Sequence, residues 1–168
     1  MIRGEWRIGA QKLSALLWEE RELLDLLVFK LEEEQLLLTS GKSRWLQHAT
    51  REVEQVLDRL RAAGLARTVA VSALARDWGT PEEPTLRELV AAAPAGPWTE
   101  IFHAHLQAMT ELTLKIRELR DLNEQFLRTA ARSAQETLAG MDHASGTYSA
   151  SGTSTATSFG ARLVDQSL

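Results

Sequence analysis

Cysteine is absent from the 168 residues. That excludes a disulfide framework, a thiolate zinc site and a cysteine nucleophile. Long apolar runs are missing too. The longest are four or five residues, as at Leu26 to Phe29 and Leu89 to Ala93, far short of the ~20 residues of a membrane-spanning helix. No direct membrane insertion is predicted. The opening Met-Ile-Arg-Gly-Glu-Trp-Arg has no apolar h-region, which predicts no secretory leader and a cytoplasmic location. The net charge is only −4, and the two signs are interleaved. Without a basic face or stripe, nucleic-acid binding lacks its electrostatic footprint. Gly-x-Ser-x-Gly, His-Glu-x-x-His and Asp-x-Asp loops do not occur.

Apolar residues make up 44% and charged residues 25%. This composition predicts a soluble globular class, and the length suits one domain with a real core. The dominant stretch runs from Trp98 to about Met141. It has no proline, and no glycine before Gly140. Trp98, Phe102, His105, Met109, Leu112, Ile116, Leu119, Asn123, Phe126 and Ala130 recur at steps of four and three, which is a heptad seam. A helix of this length extends for about 66 Å. Such a rod must bury its seam against other helices, of this chain or of a partner.

The remaining chain supplies candidates. A first helix is predicted from about Ala10 to Leu38, with Leu13, Leu17, Leu24, Leu27, Leu31 and Leu38 on one seam and Glu20 and Glu34 in its two polar slots. Leu16, Leu23 and Leu37 widen the stripe to suit two neighbours. Thr39 to Ser43 breaks it, with Gly41 as C-cap and Ser43 as the next N-cap. Gly41-Lys42-Ser43 resembles the end of a phosphate-binding loop, but that pattern requires glycine where Leu36 stands. A second helix is predicted from about Arg44 to Ala63, stopped by Gly64, and antiparallel to the first. A looser segment follows, with a short helix over Thr68 to Trp78 and breakers at Gly79 to Pro84 and Pro94 to Pro97. Between the breakers, Thr85-Leu86-Arg87-Glu88 reads as a capping box. Pro97 or Thr99 starts the long helix.

Residues 142–168 are different material. Thirteen of these 27 residues are Ser, Thr or Gly, too little apolar surface to offset ordering entropy, so a disordered tail is predicted. Tyr148 and the closing Leu163-Val164 pair fit either a short binding element or a solubilising tail without a partner.

Candidate chemistry is sparse. His103 and His105 are two residues apart and point roughly 200° away from each other on a helix. They read as one surface and one seam-facing histidine. The five tryptophans read as end packing of a small bundle. Small helical mutases place Arg or Lys on inward helix faces to bind dianions. The seams here carry neither, and Glu111–Lys115 and Glu124–Arg128 read as surface pairs. Asn123 on the seam either sets register and partner choice or marks where the core ends. Both readings leave the helix beyond residue 120 less covered than the part before it.

Leu16 to Leu27, continuing through Phe29 to Leu36, the turn with Arg44-Trp45-Leu46, and a Ser/Thr/Gly tail closing with Ala161-Arg162-Leu163-Val164-Asp165 together resemble the FlgN-type flagellar export chaperones. The resemblance covers most of residues 10–64 and the tail, and the long helix fits in type and place. It implies a cytoplasmic, non-enzymatic chaperone of flagellar type III secretion. Its clients would be hook-associated (hook–filament junction) proteins, whose terminal amphipathic helices it would hold and deliver to the export gate, with no cofactor or metal.

The expected fold is therefore all-α: an antiparallel bundle of three principal helices with one or two short helices before the long last one. Residues 1–141 form the helical domain and 142–168 the tail. Physical reasoning places client contacts at Leu112, Ile116, Leu119, Leu122, Phe126 and Leu127, with Tyr148 and Leu163 in the tail. Some of the helix residues, Leu112 and Ile116 above all, suit an intramolecular core equally well. The competing functional readings are a self-assembling structural coiled coil and, third, a small mutase-like enzyme.

Overall fold

A computed structural model describes residues 5–80 and 83–144, with side chains described for 6–80 and 83–141. The described residues form four helices and no strand: α1 (Glu5–Thr39), α2 (Ser43–Trp78), α3 (Leu86–Ala91) and α4 (Pro97–Ala144). The fold is the all-α bundle of three principal helices that the seams require. The chain divides into two compact units, Met1–Phe126 and Leu127–Leu168.

Cross-helix pairs within the first unit fix its topology. Lys30 meets Glu52, Thr50 donates to Glu34, and Arg67 reaches Glu20, so α2 descends as α1 ascends. Ser14 meets His105, and Asn123 bonds the carbonyl of Leu31, so α4 ascends beside α1. The order is up, down, up, with α3 in the return.

Helix ends follow local chemistry. Gly41 (φ 69°) closes α1 in a left-handed conformation. The N–H of Lys42 reaches the Leu37 carbonyl, and that of Gly41 reaches the Leu38 carbonyl, the paired bonds of a Schellman cap. Ser43, expected as N-cap, is instead the first helical residue, and Lys42 takes the cap position without a side-chain bond. The capping box forms as the sequence predicts. The Glu88 N–H donates to Thr85 Oγ1 at 3.2 Å, and the Thr85 N–H donates back to Glu88 at 2.7 Å. The Thr85 N–H, and after it the Thr85 hydroxyl donating to the same carboxylate at 2.8 Å, hold the Glu88 carboxyl below its usual range.

The largest departure from expectation is Gly64. It does not end the second helix, which runs unbroken to Trp78, and the short helix expected over Thr68 to Trp78 is its last third. The reason is burial. Ala70, Val71, Leu74 and Ala75 lie against Ala10, Leu13 and Leu17 of α1. A glycine inside a helix costs only about 1 kcal/mol relative to alanine, and fully burying a single leucine or valine gives ~1.5–3 kcal/mol. The helix stops at Gly79 (φ 66°), where Gly79 and Thr80 bond back to Arg76 and Ala75 in a second Schellman cap. For the same reason α1 starts at Glu5 rather than Ala10: its first turns carry Trp6 and Ala10 into the core.

Two core clusters stack along the bundle. The first joins Ala10, Leu13 and Leu17 to the end of α2, to Leu89 and Val90 of α3, and to Phe102 and Met109 of α4. The second joins Leu27, Val28 and Leu31 to Val53, Val56, Ile116 and Leu119. Trp6, Trp78 and Trp98 pack around the first, as end packing predicts. Trp18 and Trp45 are exposed instead.

Candidate helix-docking surface

The seam residues of α4 are buried or half-buried as far as Asn123 and no further. Phe102, His105, Met109, Ile116, Leu119 and Asn123 are all buried. Every described side chain from Glu124 to Met141 is exposed.

The polar residues on the seams have partners inside the bundle. Asn123 Nδ2 donates to the Leu31 carbonyl at 3.0 Å and to Glu34 at 3.1 Å, while Thr50 donates to the other Glu34 oxygen at 2.8 Å. One polar layer, buried at Glu34 and Asn123 and open at Thr50, thereby ties all three long helices in register. Glu20 sits between the two clusters and accepts from Arg67 at 2.6 Å. Burial pushes its carboxyl above the usual range, and the Arg67 charge only partly opposes this. Arg21 approaches His105 Nδ1 at 3.4 Å. A guanidinium can only donate, so Nδ1 accepts and Nε2–H donates to Ser14 Oγ at 3.2 Å. Burial, then the nearby Arg21 charge, pushes the His105 pKa down. These are structural contacts within the bundle, and His103 lies exposed on the other side of the helix. Among the described residues no group of His, Asp and Glu is spaced to hold a metal ion, and no helix is long and apolar enough to cross a membrane.

The expected contact residues fall into three groups. Ile116 and Leu119 belong to the second core cluster, and Leu112 packs half-buried against it. Leu122, Phe126 and Leu127 are exposed, at 44%, 39% and 40%. Tyr148 and Leu163 lie outside the described residues. Sequence reasoning overlooked α1. Trp18, Phe29 and Leu36 are exposed there. Their spacings of eleven and seven are close to whole numbers of helical turns, so they form a second apolar stripe away from the seam. That periodicity was the available signal. Trp18 and His105 meet at nearly perpendicular rings with centroids 5.2 Å apart, and the Arg21 guanidinium lies over the Trp18 ring, 4.3 Å from its centroid. Trp18, Ala108 and Leu112 line a groove of about 430 Å³ between α1 and α4. Lys115 pairs across this groove with Glu32 at 2.8 Å, not with Glu111 on its own helix.

The geometry defines a class: a bundle of long helices whose polar groups serve register and whose last helix carries apolar side chains in the open. The family model described as FlgN protein matches residues 1–156. The chain belongs to the FlgN family, a family of flagellar export chaperones rather than of enzymes, whose clients are flagellar proteins. No curated protein and no solved structure matches the chain.

Proposed function

We propose that this protein is a cytoplasmic, non-enzymatic chaperone for hook-associated (hook–filament junction) proteins. It binds their terminal amphipathic helices, prevents premature assembly, and delivers them to the flagellar export gate without a cofactor, a metal or nucleic acid. The exposure of α4 beyond Asn123 carries this reading. A heptad seam that leaves the core while still helical offers a surface to a partner helix. Leu122 and Phe126 stand at the end of the first unit, and Leu127, Leu138 and Met141 are exposed in the second. Tyr148 and Leu163, in the segment 142–168, are proposed to join the contact. Leu112, Ile116 and Leu119 act mainly from the core side, holding the surface in place.

Calorimetric titration with full-length hook-associated proteins tests the reading. One-to-one binding is expected, and Leu122→Asp with Phe126→Asp should abolish it while circular dichroism stays unchanged. No binding to any such protein sinks the chaperone reading. The same exposed seam favours self-assembly as the second reading. It requires a stable oligomer of the free protein in sedimentation, lost on the same double substitution.

A further inference from the structure

Within the first unit, the helix faces that line the groove between α1 and α4 continue along both helices toward Leu36 and Phe126. α1 and α4 run parallel in a register that sets Ser14 beside His105 and Glu34 beside Asn123. In that register Trp18 falls near Ala108, and Leu36 near Phe126. Ala108, Lys115 and Leu122 are spaced by sevens, so the α4 face that lines the groove carries Leu122 and then Phe126 farther along. On α1 the facing stripe is Trp18, Phe29 and Leu36. This track spans about 18 residues, or ~27 Å of helix.

Its charges are one-sided. Arg21 is engaged with His105 and Trp18, and Lys115 is paired with Glu32. Glu22, Asp25 and Glu111 line the same groove. None of these three has a cation at ion-pair distance among the described residues, and Glu111 accepts only from the Gln107 amide. The groove therefore offers an apolar floor, an exposed tryptophan and an acidic rim. We infer that it holds a client's amphipathic helix whose apolar stripe is flanked by lysine or arginine, with Trp18 as the anchor at one end and Phe126 at the other. This deepens the chaperone reading and rests on it. Tryptophan is enriched among residues that dominate interface energetics. Complementary rim charges mainly set specificity and association rate.

The test titrates the full chain with a full-length hook-associated protein and with its terminal-helix peptide, the latter also with its basic flanks changed to Glu. The wild type is expected to bind both native forms, to weaken as salt rises, and to bind the Glu-flanked peptide at least tenfold more weakly. The surface variant Glu22→Lys/Asp25→Lys/Glu111→Lys should lose tenfold or more for the native peptide, with an unchanged melting curve. Trp18→Ser should lose at least as much. If the wild type binds the client and the triple variant binds it equally well, the groove assignment fails while the chaperone reading stands. If the wild type binds no hook-associated protein, the chaperone reading fails and takes the groove with it. If Trp18→Ser dissociates a homodimer in sedimentation and leaves client binding intact, the groove's occupant is a second copy of this chain, which overturns the inference.

Discussion

Phe102 and Leu119 lie on the same seam of α4, but different walls surround them. Around Phe102 the three long helices are joined by α3, through Leu89 and Val90, and by Trp78 and Trp98. Phe102, Leu13, Leu17, Leu74 and Leu89 are all 0% exposed. Around Leu119 only α1 and α2 contribute; Ile116 and Leu119 are buried but still 8% exposed, and Leu112 is half-buried. The difference teaches how one seam serves two purposes. A fourth wall turns the first cluster into the stability core. Without that wall, the second cluster is closed by a polar layer, Glu34–Asn123–Thr50, and the apolar residues just outside it remain available.

The largest test of this contrast compares truncations. Phe102→Ala should cost about 3–5 kcal/mol, because a fully enclosed site collapses poorly around the void. Leu119→Ala should cost about 2–3 kcal/mol, since its neighbours are partly free to move in. Urea melts of the two variants decide it; equal losses would mean that both clusters are enclosed alike.

The junction between the clusters comes next. Arg67→Met strands the Glu20 carboxylate in a buried position. Breaking a buried pair costs ~3–5 kcal/mol, and the Arg67 side chain is 30% exposed, so a loss of about 3 kcal/mol or less is expected at neutral pH. The loss should shrink in acid. Glu20 already has its pKa raised by burial, and without Arg67 it takes a proton more readily. A loss that is constant from pH 7 to pH 5 would show that the carboxylate is not the strained partner.

A smaller effect belongs to His105. Its folded pKa is depressed, so the unfolded chain binds more protons than the native one as pH drops below the ordinary histidine value of about 6.5. The associated stability is present above that value and is lost as pH falls toward the depressed folded pKa. Glu20 works in the opposite sense over the acid range, so the comparison must be made between variants. The wild type should lose more stability between pH 7 and pH 5 than His105→Gln does, and parallel curves would remove His105 from the account.

Much of this was legible in the sequence because a seam is a periodic property, and periodicity survives without tertiary information. Leu13, Leu17, Leu27 and Leu31 are buried where their spacing puts them, and Glu20 and Glu34 occupy the polar slots between them. Asn123 ends the α4 core and also fixes register, so its two readings describe one residue. The docking surface was half legible. Exposure of Leu122 and Phe126 follows from thinning apolar cover, but the placement of Leu119 depends on how far α1 and α2 reach along α4. The Trp18 stripe was hidden because an aromatic residue off the seam resembles end packing until the groove beside it is known. The path of α2 was misread at Gly64, where local propensity pointed to a stop and the burial of Ala70 to Ala75 farther along the chain prevailed.

Gly64 provides the mildest and most pointed test. It sits in the middle of α2, its carbonyl accepts the Thr68 hydroxyl at 2.9 Å, and a Cβ there would meet nothing within 4 Å. Alanine gains helix propensity because its unfolded chain has less backbone freedom to lose. Gly64→Ala should therefore raise stability by about 0.5–1 kcal/mol, visible as a small upward shift in urea midpoint with an unchanged slope. If α2 were two helices hinged at Gly64, the same substitution would bring no gain, or a loss where the hinge used a conformation that alanine resists. The sign of this small change distinguishes a continuous α2, which carries Arg67 to Glu20 and Leu74 to Leu13, from a broken one that could not hold the first core cluster together.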